Sequence, residues 1–167
     1  IFYLGHDGLY AFNGQSEVKI TDEKVDSLFR GETVNGINPI NKTYISNCLL
    51  EYFNGKIFLA YPDANMIYSN KVLMYDLIKK KFSIWDYNLT IKSLFYDVIN
   101  QRLLAGDSNG TIWRLEYGDT DGGDSFTFKV RSKELSGIEY VAPSTVRFDV
   151  YNEGANTVYF RFLQEDD

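Results

Sequence analysis

Cysteine and histidine are nearly missing from this chain of 167 residues, since each occurs once, as Cys48 and His6. A single cysteine cannot form an internal disulfide, and these two residues cannot supply the Cys or His ligand sets of zinc sites. We expect Cys48 to be a buried, inert thiol inside an apolar strand over residues 44–52. We expect His6 to be a turn residue and not a general base.

Long apolar runs and clustered positive charge are also missing. No apolar run approaches the roughly 20 residues of a membrane-spanning helix, which argues against membrane insertion. The formal net charge of −6 is spread along the chain, and the basic run at residues 79–81 falls where a solvated hairpin turn is expected. Because a surface for duplex nucleic acid needs clustered Lys and Arg, we expect no direct sequence-specific contact with nucleic acid.

Aromatic residues, in contrast, are abundant: 13 tyrosines and 12 phenylalanines favour sheet over helix. Two similar phrases, residues 4–12 and 105–115, each combine an apolar strand, a short turn with Asp and Gly, and a second apolar strand. Gly adopts positive φ at little cost and Asp bonds nearby backbone, so each phrase predicts a tight hairpin. A hairpin that recurs among further strands indicates a repeat architecture.

The first unit is predicted to contain three strands and one short helix. The strands are expected at residues 1–5, 8–13 and 17–20. Apolar residues then share one helical face over residues 21–29, where Thr21 or Asp22 can cap the first turn and Gly31 ends the helix. Residues 31–42 are predicted to form a loop.

A second unit of four strands follows, and a third unit repeats its plan. Asn54-Gly55 is the strongest short-range hairpin signal, and Ile57 and Leu103 hold equivalent places 46 residues apart, close to the spacing of propeller blades. Imperfect alternation over residues 111–115 indicates strands packed on both faces between neighbouring units. The eight strands are expected at residues 44–52, 56–61, 71–77, 82–87, 91–96, 101–106, 111–117 and 126–131.

The pattern changes after residue 135. Residues 145–151 and 157–163 alternate strictly between apolar and polar, which predicts a sheet with one buried and one solvated face, as in a sandwich. The predicted fold class is therefore all-β. Residues 1–135 are expected to form a partial β-propeller of about two and a half four-stranded antiparallel blades, and residues 136–167 the start of a C-terminal β-sandwich-like element.

Two stretches carry a resemblance to a known family. Residues 3–14 (YLGHDGLYAFNG), followed by Lys19-Ile20 and the short helix, resemble a blade of tailed-bacteriophage propeller proteins. Residues 115–124 (LEYGDTDGGD), with the segment 126–135 after them, are similar to the way such propellers end before a β-sandwich-like segment. The resemblance implies a structural component of the virion, at the head–tail connection or in the tail.

A closed propeller needs at least four blades, and this chain supplies fewer. The chain also begins directly on strand residues, with no initiator methionine or signal peptide. We therefore expect either that the chain is a piece of a longer polypeptide or that partner chains complete the ring.

Candidate chemistry is sparse, and we assign no catalytic, cofactor-binding or metal-binding residue. Asp119, Asp121 and Asp124 alternate in a Gly-rich loop and offer oxygen ligands for Ca²⁺, but they lack EF-hand spacing, so a solvated loop is the favoured interpretation. Asp76 and Asp86 are conceivable paired acids for glycoside cleavage, although a role in turn geometry is favoured. No serine lies in a Gly-x-Ser-x-Gly context.

Aromatic side chains raise a second possibility, because exposed rings stack on sugars. The candidates are Trp85, Trp113, Tyr68, Tyr87 and Tyr96. Packing between blades is the favoured role for them. The leading hypothesis is a non-enzymatic virion protein that docks other virion proteins or further copies of itself, through loops near residues 62–70 and 31–41. The alternative is a carbohydrate- or cell-surface-binding propeller module, and a weaker one is a propeller glycosidase that lacks its catalytic blade.

Overall fold

Antiparallel hairpins account for nearly all the regular structure. The structure is a computed structural model that describes residues 1–21, 25–33 and 36–118. These residues form an all-β fold, as predicted, with one short α-helix and one 3₁₀ helix. The strands are β1 (Phe2–Leu4), β2 (Leu9–Phe12), β3 (Glu17–Lys19), β4 (Leu49–Phe53), β5 (Lys56–Tyr61), β6 (Lys71–Asp76), β7 (Lys81–Trp85), β8 (Ile91–Asp97), β9 (Arg102–Asp107) and β10 (Ile112–Leu115).

The described strands make three sheets, and in each sheet neighbours in sequence are neighbours in space. The first sheet has the order β1-β2-β3, the second β4-β5-β6-β7, and the third β8-β9-β10. Every pairing is antiparallel. The predicted strand at residues 126–131, the boundary near residue 135 and the sandwich-like element at 136–167 lie outside the described residues.

The second sheet is buried on both faces. Leu59, Tyr61 and Leu73 pack on one side against the α-helix and Ile40. Phe58, Ala60 and Val72 alternate with them and pack on the other side against residues of the third sheet such as Leu103 and Ala105. Because side chains on a strand alternate between faces, a near-continuous apolar run such as that in β5 serves a sheet that is covered on both sides.

The third sheet differs from this pattern at its edge. Both-face packing was predicted for residues 111–115, but Ile112 is 66% exposed and Arg114 is also exposed, whereas Leu115 is buried. The prediction was wrong for β10. It is the edge strand of the described sheet, and among the described residues no layer packs on the face that carries Ile112.

The α-helix is shorter than predicted. It spans Asp26–Arg30, and Val25 occupies its N-cap without a side-chain cap. Thr21 instead accepts a hydrogen bond from the Leu9 amide (3.3 Å), and Asp22 lies outside the described residues. Gly31 ends the helix with φ 93°, as predicted.

The stretch before β4 is helical and not extended. Residues Lys42–Asn47 form a 3₁₀ helix whose N-cap Asn41 accepts a hydrogen bond from the Thr43 amide. The strand predicted over 44–52 therefore begins at Leu49. Cys48 is not inside a strand: it joins the 3₁₀ helix to β4, lies half-buried against the core, and burial raises the pKa of its thiol to about 12.

Turns were predicted more accurately than helices. Asn54 and Gly55 take φ 47° and 74°, the paired positive values of a two-residue hairpin turn. Gly110 has φ 84°, as its hairpin phrase predicts. Gly8 in the similar phrase has no positive φ. The absence of a side chain matters there instead, because a Cβ at Gly8 would collide with Thr21 Oγ1.

The first strands of the second and third sheets, β4 and β8, are parallel to each other. The ring of Phe53 at the end of β4 packs on the ring of Tyr96 near the end of β8 (centroids 5.3 Å), while Ser69 and Ile91 are bridged at the opposite end. β4 and β8 therefore lie side by side and run the same way. The turns 54–55, 77–80 and 98–101 lie together at one end, and the loop 62–70 lies at the other.

Candidate functional site

The loop between β5 and β6, residues 62–70, is closed at its base by its own polar groups. The amide of Asn70 donates to the Tyr61 carbonyl (3.1 Å), and the amide of Asp63 donates to the Asn70 side-chain oxygen (2.9 Å). Asp63 is buried and accepts the Asn65 amide at its carboxylate (3.0 Å) and the Met66 amide at its carbonyl (2.9 Å). Residues 62–65, in the loop predicted as a contact site, therefore form a hydrogen-bonded turn.

Neighbouring segments hold the far side of the loop. The Asn41 side-chain amide donates to the Met66 carbonyl (2.9 Å), and that of Asn47 donates to the Ile67 carbonyl (2.8 Å). Ser69 is fully buried, and its hydroxyl donates to the Asn47 carbonyl (2.7 Å). Side chains thus bond backbone carbonyls of the loop that would otherwise face solvent, and they attach the loop to residues 41–47.

This held loop turns three consecutive large apolar side chains outward. Met66, Ile67 and Tyr68 are 38%, 49% and 42% exposed, and we call them the apolar tip. The ammonium of Lys92 lies over the Tyr68 ring. Scattered single apolar residues on a surface are ordinary, but adjacent ones on a rigid support are typical of protein interfaces.

The second loop predicted as a contact site, residues 31–41, turns inward where it is described. Pro39 and Ile40 are buried, and Ile37 packs against the core. The Ile40 amide donates to the Leu28 carbonyl (3.1 Å). The described part of this loop thus serves the fold, and it presents no exposed apolar group comparable to the apolar tip.

A four-residue turn that occurs twice, and that was not predicted from the sequence, lies at the opposite end of the sheets. Residues 75–82 (YDLIKKKF) and 96–103 (YDVINQRL) repeat one phrase, and both form four-residue turns with matching geometry. In each the Asp carboxylate accepts the amides two and three residues on, and the fifth residue after the Tyr has φ 53°. Ile78 and Ile99 are thereby 86% and 92% exposed. The phrase Tyr-Asp-apolar-Ile, present twice, was the signal that could have found them.

The candidate acids are not brought together. Asp76 and Asp86 lie at opposite ends of the β6–β7 ladder, five residue pairs apart, or roughly 17 Å at the rise of a strand. Paired carboxylates of glycosidases lie within about 10 Å. Asp76 accepts the amides of Ile78 and Lys79, and the Lys79 amide is the main cause of its lowered pKa, whereas Asp86 pairs with Lys71.

The remaining candidates for chemistry stay apart as well. His6 is exposed in the β1–β2 turn. Within the described ranges no three His, Cys, Asp or Glu side chains are close enough to hold a metal ion. Asp119, Asp121 and Asp124 lie outside those ranges. In the part of the chain that the structure describes, no helix is long and apolar enough to cross a membrane.

Four of the five candidate sugar-stacking aromatics are half-buried. Trp85 packs edge-on against Phe58 and Tyr87, with centroids 6.1 and 5.8 Å apart. Tyr96 packs on Phe53, and the Trp113 indole donates to Asp107 (2.8 Å). Tyr68, in the apolar tip, is the exposed member of the set.

Comparison with protein-family models, with curated proteins and with solved structures finds no match for this chain.

Proposed function

We propose that this chain is a non-enzymatic docking module, part of a β-propeller that joins neighbouring proteins in the virion of a tailed bacteriophage. The observation that carries the docking role is the apolar tip, three exposed apolar side chains on a loop held by Asn41 and Asn47. A loop fixed before binding loses little conformational entropy when a partner covers it. Exposed apolar groups of this kind supply the buried centre of a protein interface.

Two further features support the propeller. The four-stranded second sheet is a simple meander with both faces covered, which is the environment of a blade between two neighbours. β4 and β8, the first strands of consecutive sheets, lie side by side and run the same way. The virion assignment itself rests on the resemblance of residues 3–14 and 115–124 to phage propellers.

The test uses particles that carry the natural full-length protein. A photo-crosslinking amino acid replaces Ile67 in one preparation and Asn100, an exposed residue in the turn at the opposite end, in a matched preparation. We expect the chain to purify with DNA-filled particles, and position 67 to crosslink to a different particle protein more strongly than position 100. Absence of the chain from particles would overturn the virion role. Equal crosslinking at the two positions would overturn the docking role of the apolar tip.

A carbohydrate- or cell-surface-binding module is the second candidate, and the exposed ring of Tyr68 is the observation in its favour. Sugar stacking depends on the ring face, so Tyr68→Phe would keep glycan binding and Tyr68→Ala would lose it. Glycan-array binding by the wild type with this pattern of variants would favour the second candidate over protein docking.

A further inference from the structure

Three turns lie together at one end of the second and third sheets. They are the turns 54–55, 77–80 and 98–101. The Leu77 amide donates to the Gly55 carbonyl (3.0 Å), and the Ile78 side chain lies beside Gly55. The contact between the Phe53 and Tyr96 rings joins the first of these turns to the third. The three turns therefore form one continuous surface, which we call the turn end.

Two isoleucines stand at the tips of these turns. Ile99 and Ile78 are 92% and 86% exposed, which makes them the most exposed large apolar side chains of the described residues, and Val98 is 64% exposed. Asp97 and Asp76 hold the two turns in shape by accepting backbone amides within them. Each isoleucine is thus presented outward by its own turn, and covering it would remove apolar surface from water.

Positive charge adjoins the isoleucines. Residues 79–81, directly after Ile78, are three exposed lysines, and Arg102 follows the other turn. The acidic residues of these two turns are Asp76 and Asp97, so the two turns together are net positive although the chain has a formal net charge of −6. Salt limits the reach of exposed charges to about 10 Å, so an approaching surface meets this local charge first.

A lipid surface fits this combination better than a protein surface does. Lysine is depleted in protein interfaces, whose centres are built from side chains that fill pockets on the partner. At the surface of a bilayer, aliphatic side chains enter the boundary between headgroups and acyl chains, while neighbouring lysines attract anionic headgroups. The methylene groups of those lysines add further apolar contact. A lysine run beside a protruding isoleucine therefore favours an anionic bilayer as the occupant.

We propose that the turn end binds the surface of an anionic lipid bilayer, with Ile78 and Ile99 in the boundary between headgroups and acyl chains and the lysines of residues 79–81 on the headgroups. Contact of this kind is peripheral and needs no membrane-spanning segment, which the sequence argues against. It uses the end of the sheets opposite to the apolar tip. The proposal goes beyond the proposed function and does not rest on it.

The test is flotation of the purified 167-residue chain with lipid vesicles in a density gradient, because vesicle-bound protein floats whereas self-associated protein sinks. One set of vesicles is phosphatidylcholine alone, and the other has equal parts of phosphatidylcholine and the anionic lipid phosphatidylglycerol. We expect partitioning to the anionic vesicles to be at least about tenfold stronger, and to weaken as salt is raised. Equal flotation with both vesicle types, or flotation with neither, would overturn the proposal.

Two matched double variants test the isoleucines. Ile78→Ser with Ile99→Ser removes the aliphatic groups of the turn end and should weaken partitioning to anionic vesicles by at least about tenfold. Met66→Ser with Ile67→Ser makes the same kind of change at the opposite end and should leave partitioning unchanged. Amide exchange protection in β5 verifies that both variants are folded. An equal loss in the two variants would contradict the assignment to the turn end.

A second pair of variants tests the charge. Lys79→Gln with Lys81→Gln should weaken binding to anionic vesicles by about tenfold and reduce its salt dependence, since each lysine near an anionic surface adds to the attraction. Lys42→Gln with Lys92→Gln removes two exposed lysines at the opposite end and should bind as the wild type does. Equal weakening in both variants would show that net charge alone drives binding, and the proposal would fail.

Crosslinking separates a lipid surface from a protein partner. With the photo-crosslinking amino acid at position 99 of the natural full-length protein, strong attachment to another particle protein would overturn the assignment to lipid. We expect attachment at position 99 to be weaker than at position 67. Failure of the flotation experiment leaves the crosslinking at position 67 unaffected, since that experiment concerns the opposite end of the sheets.

Discussion

Asp and Asn side chains at strand ends determine most of the described turns. Asn13, Asp76, Asp97 and Asp107 each accept backbone amides from residues that follow them in the turn. Asp7 lies in the turn of the other copy of the repeated phrase, but its carboxylate binds the Tyr10 hydroxyl and the Lys19 ammonium. Residue type thus predicts that a turn is present, while the partner of each carboxylate depends on neighbouring strands.

Gly110 provides a test of backbone strain. Its φ of 84° is unfavourable for a β-branched residue, and a Cβ there would meet nothing within 4 Å, so strain is the main cost. We expect Gly110→Val to lower the free energy of unfolding by about 1–2 kcal/mol. The neighbouring exposed variant Thr111→Val should change it by less than about 0.5 kcal/mol. Equal urea midpoints for the two variants would contradict the turn assignment.

Asp107 provides a test of pH dependence. Hydrogen bonds from the Trp113 indole, and then from the backbone amides of the turn, lower the pKa of its carboxyl. The unfolded chain, with a carboxyl pKa of about 3.9, binds the proton first as pH falls. The stabilisation is therefore fully present above that value and is lost as pH falls through the lower folded pKa.

We accordingly expect Asp107→Asn to show a shallower loss of stability than the wild type when urea unfolding is followed from about pH 5 down to about pH 2. The control variant Ser108→Asn leaves the Asp107 carboxylate in place, and its stability should depend on pH as that of the wild type does. A variant curve parallel to that of the wild type over this window would show that the Asp107 carboxylate is not linked to folding.

At the level of elements, the short turns are stabilised by hydrogen bonds from adjacent residues, whereas the long loop is stabilised by residues distant in the sequence. The turns at 77–80 and 98–101 are held within themselves by Asp76 and Asp97, so their exposed isoleucines are determined locally. The loop 62–70 depends on Asn41 and Asn47, which are 20 or more residues away in sequence. Its conformation is thus a property of three segments together.

Removal of one support should loosen this loop. Asn47→Ala deletes the hydrogen bond to the Ile67 carbonyl, and we expect faster amide exchange over residues 66–69 with a loss of about 1 kcal/mol in unfolding free energy. Asn109→Ala, in the β9–β10 turn, removes an exposed amide side chain and should leave exchange over residues 66–69 unchanged. Unchanged exchange in Asn47→Ala would indicate that the loop is held without that bond.

On the scale of the whole molecule, apolar side chains are exposed at both ends of the sheets. The apolar tip lies at one end, and Ile78 and Ile99 lie at the other. Among the described residues, the edge strands β3, β7 and β10 also carry backbone groups that no neighbouring strand pairs. Surfaces of this kind promote association in a free chain, and in an assembly they are covered by neighbours.

The isolated chain is therefore expected to self-associate. Sedimentation velocity should show species larger than the 19.3 kDa monomer as concentration rises. The triple variant Ile67→Lys, Ile78→Lys, Ile99→Lys should remain monomeric to higher concentration than a control with the same added charge, Thr33→Lys, Ser108→Lys, Thr111→Lys. A compact monomer at every concentration of wild type would contradict this prediction.

The sequence by itself determined the all-β class, the strands β5 to β9 to within a residue or two, and the turns at Asn54-Gly55 and Gly110. These follow from local chemistry: alternation, aromatic content, and the few residues that accept positive φ. Tertiary structure alone decided that residues 42–47 coil as a 3₁₀ helix, that the α-helix begins at Asp26, and that Asn41 and Asn47 hold the loop which presents the apolar tip. Contacts between residues distant in the chain are set by packing and leave no periodic signal in the sequence.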